Sequence, residues 1–339
     1  MKQAQMCPQC NAPLSPGRFA QSVVCIYCGS TINLDSSAIS VARFHEAFRV
    51  WNSAETYQFS SWISLGDSRW AIGQQIAQGE ISDVYTGQRA RWPTELVILK
   101  ILRDRKDVDQ FDNEWDILQT LHQSNTAGAD GFTMLIPQLV MQGDVSGGSL
   151  SGKRVSIFRW ISGFFYTFDE VARTFPQGVP QRAIIWIWRR ILEVLSFVHA
   201  SGLVHGAVLP SHLLIQENEH GVRLVGYGCS GRIGEKLQAI PPNFAPFYPQ
   251  MKRSQLILTT QLDLAMSARC MIALLGGDPG AATLPIEVPA LLSNLIRRIA
   301  LTDPTGKPQE DAWSIREELG QIADQVYGAP QFIPIVMRS

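Results

Sequence analysis

The sequence predicts an α+β protein in which a β-rich small lobe precedes an α-rich large lobe, with a small cysteine-anchored module in front of both. Three observations support this prediction. Two CxxC pairs lie near the start, short β-like runs fill the stretch from Trp70 to Trp160, and helical spacing dominates after Gln181. The chain has 339 residues, of which 45% are hydrophobic, so it can bury one large core beside a small module.

The order of these patterns gives the predicted domain boundaries. Residues 1–34 form the cysteine-anchored module. Residues 35–66 form a connector, whose SVARFHEAFRVWNSA stretch has the apolar spacing of a short amphipathic helix. Residues 67–328 form the two-lobed domain, and residues 329–339 form a C-terminal tail.

The two-lobed domain begins with short strands. WAIGQQIA, DVYTGQR and ELVILKIL predict the first three, and residues 108–122 predict a helix. Two more strands, MLIPQLVMQ and RVSIFRW, lie on either side of the turn-rich SGGSLSGK. After Gln181 the pattern is mainly helical, interrupted by the strand-like runs LLIQ and VRLVG. Strands, one helix, strands and then helices are the order expected of the two predicted lobes.

Charge and hydropathy exclude several classes of function. The formal net charge is −1, which gives no general attraction to nucleic acid or to an anionic membrane. The start, MKQAQMCPQC, lacks the apolar region of a signal peptide, and the most apolar run, AIIWIW, is far too short to cross a bilayer. We therefore expect a cytoplasmic protein with no membrane association.

Four cysteines have the spacing of a metal site. They form two CxxC turns separated by 14 residues. Each turn directs two thiolates at one centre, and two turns supply the tetrahedral sulfur set that zinc prefers. Unmetallated thiols and a redox pair are the alternatives. The predicted ligands of a structural zinc ion are Cys7, Cys10, Cys25 and Cys28.

The residues around these cysteines, CPxCxxPL…VxCxYCGSxI, resemble a zinc ribbon. Some zinc ribbons bind nucleic acid and others bind proteins. Lys2 and Arg18 are the only cations before Asp35, which is too few for phosphate binding through several contacts. A protein partner is therefore favoured, and a nucleic-acid partner is not expected.

A second set of motifs follows in collinear order between Trp70 and Gly328: AQGEISDVY, VILK, FDNEWDIL, HGAVLPSHLL and VGYG. Together they resemble the protein kinase superfamily over about three quarters of the chain. The resemblance implies a two-lobed protein kinase-like fold. It also assigns roles to single residues, because each motif of that family places particular groups around a bound nucleotide.

Four residues correspond to nucleotide-binding positions of the family. Gly79 is the one glycine kept in the phosphate-covering loop, and Val84 follows it at the usual spacing. Lys100 corresponds to the lysine that contacts the α- and β-phosphates, and Glu114 to its helix partner. Two of the three loop glycines are replaced. The sequence therefore leaves ATP binding open, and we expect weak or no magnesium-dependent binding.

The catalytic positions of the family are degenerate. Ala207 replaces the catalytic base, His212 replaces the second metal ligand, and Gly226 replaces the aspartate that holds magnesium. Structural positions are kept, among them His205 and Asp263, the latter expected to cap the backbone of the catalytic loop. Phosphoryl transfer depends on charges at the lost positions, so the resemblance implies an inactive member.

The most consistent function is that of a pseudokinase, a catalytically inactive kinase homologue that acts as a regulatory or scaffolding module for protein partners. One alternative is an atypical serine/threonine kinase or another ATP-dependent transferase with a different metal arrangement. The other alternative is a nucleic-acid-binding adaptor that works through the zinc ribbon. Metal-dependent nucleotide turnover would identify the first alternative, and salt-sensitive binding to DNA or RNA would identify the second.

Overall fold

The structure is a computed structural model. It describes residues 61–90, 95–148, 150–161, 163–216, 221–238, 240–249, 257–305, 310–331, 333 and 335–337. At the N-terminus it describes residues 7, 12, 14, 22–25, 28 and 30–33. Cys10, most of the predicted connector and the last two residues of the tail lie outside the described residues.

The described chain contains strands in its first two thirds. They are β1 (Ser22–Val24), β2 (Thr31–Asn33), β3 (Ser61–Leu65), β4 (Ser68–Gln78), β5 (Ser82–Arg89), β6 (Leu96–Leu102), β7 (Leu139–Asp144), β8 (Gly147–Gly148), β9 (Arg154–Arg159), β10 (Tyr166–Thr167), β11 (Leu203–Val204), β12 (Leu213–Gln216), β13 (Gly221–Leu224) and β14 (Gly231–Arg232). An antiparallel seven-stranded sheet has the order β7-β9-β6-β5-β4-β3-β8. The pairs β1-β2 and β11-β14 and the three-stranded sheet β10-β12-β13 are separate from it.

The α-helices lie mostly in the second half. They are α1 (Val108–His122), α2 (Ala129–Phe132), α3 (Phe168–Thr174), α4 (Gln181–Ala200), α5 (Thr260–Leu274), α6 (Ala290–Ala300) and α7 (Ala312–Tyr327). Helices α4 and α5 form the centre of the larger core, where Trp188 Nε1 donates a hydrogen bond of 3.0 Å to Ser267 Oγ. None of the helices within the described residues has the length and hydropathy required to cross a membrane.

Strand β6 and helix α1 both have the bounds that the hydrophobic pattern predicts to within one residue. In β6, Val97, Leu99 and Ile101 point into the core of the large sheet, so Lys100 points to the other face. In α1 the buried stripe includes Phe111, with Glu114 one turn later. The stripe therefore carries a carboxylate toward the face of β6 that presents Lys100.

Two segments differ from their predictions. The run MLIPQLVMQ predicts one strand, but Thr133–Leu135 is a 3-10 helix and the strand begins at Leu139. Pro137 explains the difference, because proline donates no ladder hydrogen bond and disfavours a continuous strand. Strand β3 lies at the end of the range predicted as a connector. In β3 the buried residues Ile63 and Leu65 alternate with less buried neighbours, which is the pattern of a strand with one face on the core. The strand pairs with β4 in the seven-stranded sheet.

Candidate functional site

The predicted pair of Lys100 and Glu114 is formed. Lys100 Nζ lies 2.5 Å from Glu114 Oε2, and Glu114 is only 4% exposed. Burial alone would raise the pKa of Glu114. The charge of Lys100, together with hydrogen bonds from Lys100 and from the N–H of Tyr227, outweighs burial and holds that pKa below its usual value. Glu114 is thus a carboxylate with both oxygens in use.

Asp263 caps the segment that corresponds to the catalytic loop, as the sequence predicts. Its Oδ2 accepts the N–H of His205 and its Oδ1 accepts the N–H of Gly206, both at 2.8 Å. His199 Nε2 lies 2.9 Å from Oδ2. Asp263 is fully buried at the first turn of α5, and these contacts give both of its oxygens hydrogen-bond partners. The carboxylate therefore fixes the loop to the central helix.

His205 is a buried structural histidine. Its Nδ1 accepts the N–H of Ala207 at 3.2 Å, and its Nε2 lies 3.1 Å from the carbonyl oxygen of Val225, to which it donates. This arrangement specifies the neutral imidazole with its proton on Nε2. Burial lowers the pKa of His205 from 6.5 to about 4.

The protein is expected to lose stability on acidification because of His205. Between pH 6.5 and about 4, the unfolded chain binds a proton that the folded chain excludes. Stability therefore falls as the pH falls through this window, by about 3 kcal/mol at most for this group. Urea unfolding of wild type and His205→Gln across the window should show that the free energy of unfolding depends less steeply on pH in the variant.

His122→Gln, at a partly buried position of α1, is the control, and its free energy of unfolding should keep the wild-type dependence on pH. Equal slopes for wild type and His205→Gln would contradict the assignment.

Gly226 occupies the predicted metal-ligand position, and the space for a side chain there is taken. Gly226 has a φ of +81°, and a Cβ placed on it would lie 2.6 Å from Cδ2 and 2.7 Å from Cγ of His212. The ring of His212 is anchored, because its Nδ1 donates to the carbonyl oxygen of Ala207 at 2.8 Å. The imidazole of one degenerate position thus fills the side-chain volume of a second and is hydrogen-bonded to the third.

At Gly206, too, neighbouring atoms occupy the space that a side chain would need. It has a φ of +72°, and an added Cβ would lie 2.7 Å from the carbonyl oxygen of Cys229 and 2.7 Å from Leu258 Cδ2. Tyr248 Oη donates to the carbonyl oxygen of Gly206 at 3.2 Å. The segment after Gly226 is therefore packed directly onto the loop through backbone and apolar contacts.

The turn between β4 and β5 contains Gly79. Its N–H donates to the carbonyl oxygen of Ser82 at 2.8 Å, which closes the turn. Arg103, at the end of β6, donates to the carbonyl oxygens of Gly79 and Glu80. Val84 pairs directly with Lys100 across β5 and β6. Sequence reasoning did not identify the arginine contact, because no local pattern signals which carbonyl oxygens a surface arginine will bind.

Helix α1 is fastened to the segment after Gly226 by side chains that the sequence analysis did not single out. Asn113 Nδ2 donates to the carbonyl oxygens of Gly228 and Ser230, at 3.1 Å and 2.8 Å. Gln110 Nε2 lies 3.3 Å from Cys229 Sγ, and Cys229 is buried. The sequence signal for these contacts was the presence of the polar residues Gln110 and Asn113 near Glu114 on the predicted helix. Together with the Glu114–Tyr227 hydrogen bond, these contacts hold α1 and this segment in one arrangement.

Three of the four predicted metal ligands converge. The sulfur atoms of Cys7, Cys25 and Cys28 all lie within 4.8 Å of one another, and the fourth predicted ligand, Cys10, is outside the described residues. Both turns have the same backbone closure. Cys7 N–H donates to the carbonyl oxygen of Ala12 and Cys25 N–H to that of Ser30, each at 2.8 Å. The three described cysteines of the two turns therefore lie around one centre.

The sulfur geometry fits a thiolate-bound metal ion. Tetrahedral ligands about 2.3 Å from zinc are separated by about 3.8 Å. Cys7 Sγ and Cys28 Sγ are 3.7 Å apart. Cys7 and Cys25 are each 1% exposed and pack with Leu14. The three cysteines are therefore able to hold one metal ion. If the fourth ligand is also a thiolate, the ion has no open coordination position and would cross-link the two CxxC turns.

Comparison with known proteins identifies the fold. No protein-family model and no curated protein matches the sequence. A crystal structure of the BubR1 kinase domain matches with a TM-score of 0.55, over 83% of this chain and 91% of that chain, at 16% sequence identity. The chain has a protein kinase-like fold. In this kinase-like chain, Lys100 pairs with Glu114, and the ring of His212, which senses both charges, lies against Gly226.

Proposed function

We propose that this protein is a pseudokinase: a kinase-like chain that transfers no phosphate and acts as a regulatory or scaffolding module for protein partners. The observation that carries the proposal is the imidazole of His212 in the side-chain volume of Gly226. A magnesium–nucleotide site needs a carboxylate close to the phosphates. Here that volume holds a neutral ring, and Ala207 supplies only a carbonyl oxygen that this ring binds.

The neighbouring groups support the same conclusion. Burial lowers the pKa of His212, so the ring is uncharged at neutral pH. Glu114 is the carboxylate beside Lys100, but its two oxygens already accept from Lys100 and from Tyr227. Recruiting Glu114 to a metal ion would leave the lysine charge in a partly buried place without its partner. We therefore expect ATP to bind weakly, if it binds, and without help from magnesium.

The same proposal includes a two-lobed arrangement. One cluster of buried apolar residues lies within the seven-stranded sheet, and a second, larger cluster lies among the helices and the strands β11 to β13. The Lys100–Glu114 pair joins β6, which contributes to the first cluster, to α1, which contributes to the second. Asp263 and Asn113 connect segments within the second cluster. These contacts maintain a frame without supplying any catalytic group. A binding module requires a stable fold but no catalytic group.

The N-terminal cysteines complete the proposal as a zinc ribbon. Four thiolates from two CxxC turns would give a closed site, and zinc is the ion that most often occupies such sites in proteins. A module of this size buries little apolar surface, with Leu14 among the few core residues described, so the metal would contribute much of its folding free energy. The role that we assign to the zinc is structural.

Incubation with labelled ATP and magnesium or manganese is expected to transfer no phosphate to the protein or to a general protein substrate. The matched variant is Lys100→Ala, which removes the lysine at the position that contacts phosphate groups in protein kinases. Its label incorporation should equal that of wild type at background. Thermal unfolding with ATP should shift equally with and without magnesium. Transfer that Lys100→Ala abolishes would overturn the proposal in favour of an atypical transferase.

A further inference from the structure

The last described residues of the chain pack into the larger core. Ile335 is 1% exposed and Met337 is 8% exposed, and both belong to the larger cluster of buried apolar residues. Ile333 is partly buried against the same cluster. Residues predicted as a C-terminal tail therefore contribute side chains to the core of the helical part.

Burial alternates along this tail. Ile335 and Met337 are buried, whereas Val336 between them is 64% exposed, and Ile333 continues the alternation on the buried side. A period of two residues is that of an extended chain with one side on a surface. The described residues of the tail lie outside helices and strands. The tail is thus an extended segment that inserts alternate side chains.

The beginning of the tail is bound to helix α4. Helix α7 ends at Tyr327, and the chain turns at Gly328, which has a φ of +71°. Arg182, in the first turn of α4, donates from Nη1 to Gln331 Oε1 and from Nη2 to the carbonyl oxygen of Tyr327, the latter at 3.1 Å. Its guanidinium also lies over the Tyr327 ring. A polar contact therefore precedes the apolar anchors.

Extended peptides bind to proteins in this manner, with alternate side chains entering the binding surface and giving specificity. Pro330 and Pro334 restrict the backbone of the tail, which lowers the entropy that docking costs. The described anchors of the tail are three apolar side chains and one hydrogen-bonded amide. A terminal segment with few anchors leaves a folded domain more readily than an internal one.

We propose that the surface in contact with residues 331–337, which we call the tail groove, is a binding site for an extended peptide of a protein partner. The C-terminal tail occupies the groove until the partner displaces it. The partner segment has apolar side chains at alternate positions and an acceptor side chain four residues before the first deeply buried one, as Gln331 precedes Ile335. The inference specifies a surface for the protein-binding role, and it rests on that part of the proposed function.

The charge of Arg182 favours an acidic acceptor in the partner. The amide of Gln331 is neutral, and a carboxylate in its place would form a charge-assisted hydrogen bond with the guanidinium. A partner that carries glutamate at this position would therefore compete effectively with the tail.

The test uses full-length protein and a labelled synthetic peptide with the sequence of residues 329–339, and fluorescence anisotropy gives the Kd. Ile335→Asp combined with Met337→Asp should empty the groove. This double variant should bind the peptide at least about tenfold more tightly than wild type, in which the tail competes. Val336→Asp is the matched control, because Val336 is exposed, and its Kd should equal that of wild type.

Two altered peptides test the contacts. A peptide with aspartate at the positions of Ile335 and Met337 should not bind the double variant. A peptide with Gln331→Glu should bind it about threefold more tightly than the unaltered peptide, and adding Arg182→Gln to the protein should remove that gain.

Circular dichroism and urea unfolding of the double variant are measured first. A double variant that does not fold would overturn the inference, because the tail would then be an integral part of the core. A folded double variant that binds no peptide, or that binds it no more tightly than wild type does, would overturn it as well. These outcomes leave the absence of phosphate transfer untouched, whereas phosphate transfer by wild type would overturn the pseudokinase proposal and not the tail groove.

Discussion

Asp263→Ala is expected to lower the free energy of unfolding by about 3–5 kcal/mol, among the largest effects of any single substitution in this chain. The alanine would leave the N–H groups of His205 and Gly206 without an acceptor in a site closed to water. It would also remove the partner of His199 Nε2. Urea unfolding followed by circular dichroism measures the change.

Two further variants make that measurement specific. Asp263→Asn keeps the shape but turns an NH₂ group toward one of the two backbone donors, so it should recover only part of the loss. Asp116→Ala removes an exposed aspartate from α1 and should change stability by less than about 0.5 kcal/mol. A loss below about 1 kcal/mol for Asp263→Ala would show that the cap does not hold the loop.

Gly226→Asp is expected to destabilise the protein by about 2–4 kcal/mol and to restore no magnesium-dependent nucleotide binding. The new side chain would need the volume that the His212 ring occupies, and the backbone there has a φ of +81°. Moving the ring would break its hydrogen bond to the carbonyl oxygen of Ala207. Urea unfolding, and thermal unfolding with ATP in the presence and absence of magnesium, measure the two effects.

The pair of positions should show strong coupling. Combining Gly226→Asp with His212→Asn removes the ring, so the double variant should be at least about 1 kcal/mol more stable than the sum of the two single changes predicts. His212→Asn alone is the control that closes the cycle. Additive effects would show that the ring and the glycine do not share one volume, as would a Gly226→Asp variant as stable as wild type.

Features with a local signal could be predicted from the sequence. The apolar alternation of β6 and the apolar stripe of α1 are such features. The pairing of Lys100 with Glu114 was implied by the resemblance to protein kinases, and the structure contains it. Strand β3 also had a signal, because SWISL and SRWAI are separated by Gly-Asp, a common hairpin turn. Helix α3 had one in Thr167 and Glu170, which form a capping box.

The contacts inside the site had no such signal. The sequence shows a glycine at 226 and a histidine at 212, but not that one fills the space of the other. The binding of Arg103 to the turn at Gly79 is of the same kind. These contacts depend on where separate elements come to lie together, and that position follows from the packing of the whole core. Residue identity alone therefore identified the degenerate positions without showing how their space is filled.

The contact between His212 and Gly226 also limits how the sequence can change over evolutionary time. A carboxylate at position 226 fits only after position 212 has lost its ring, whereas a smaller residue at 212 is compatible with the present glycine. Substitutions at these two sites are therefore accessible in one order and obstructed in the other. A lineage carrying this pair crosses a stability barrier if position 226 changes first, so the histidine at position 212 restricts which residues position 226 can accept.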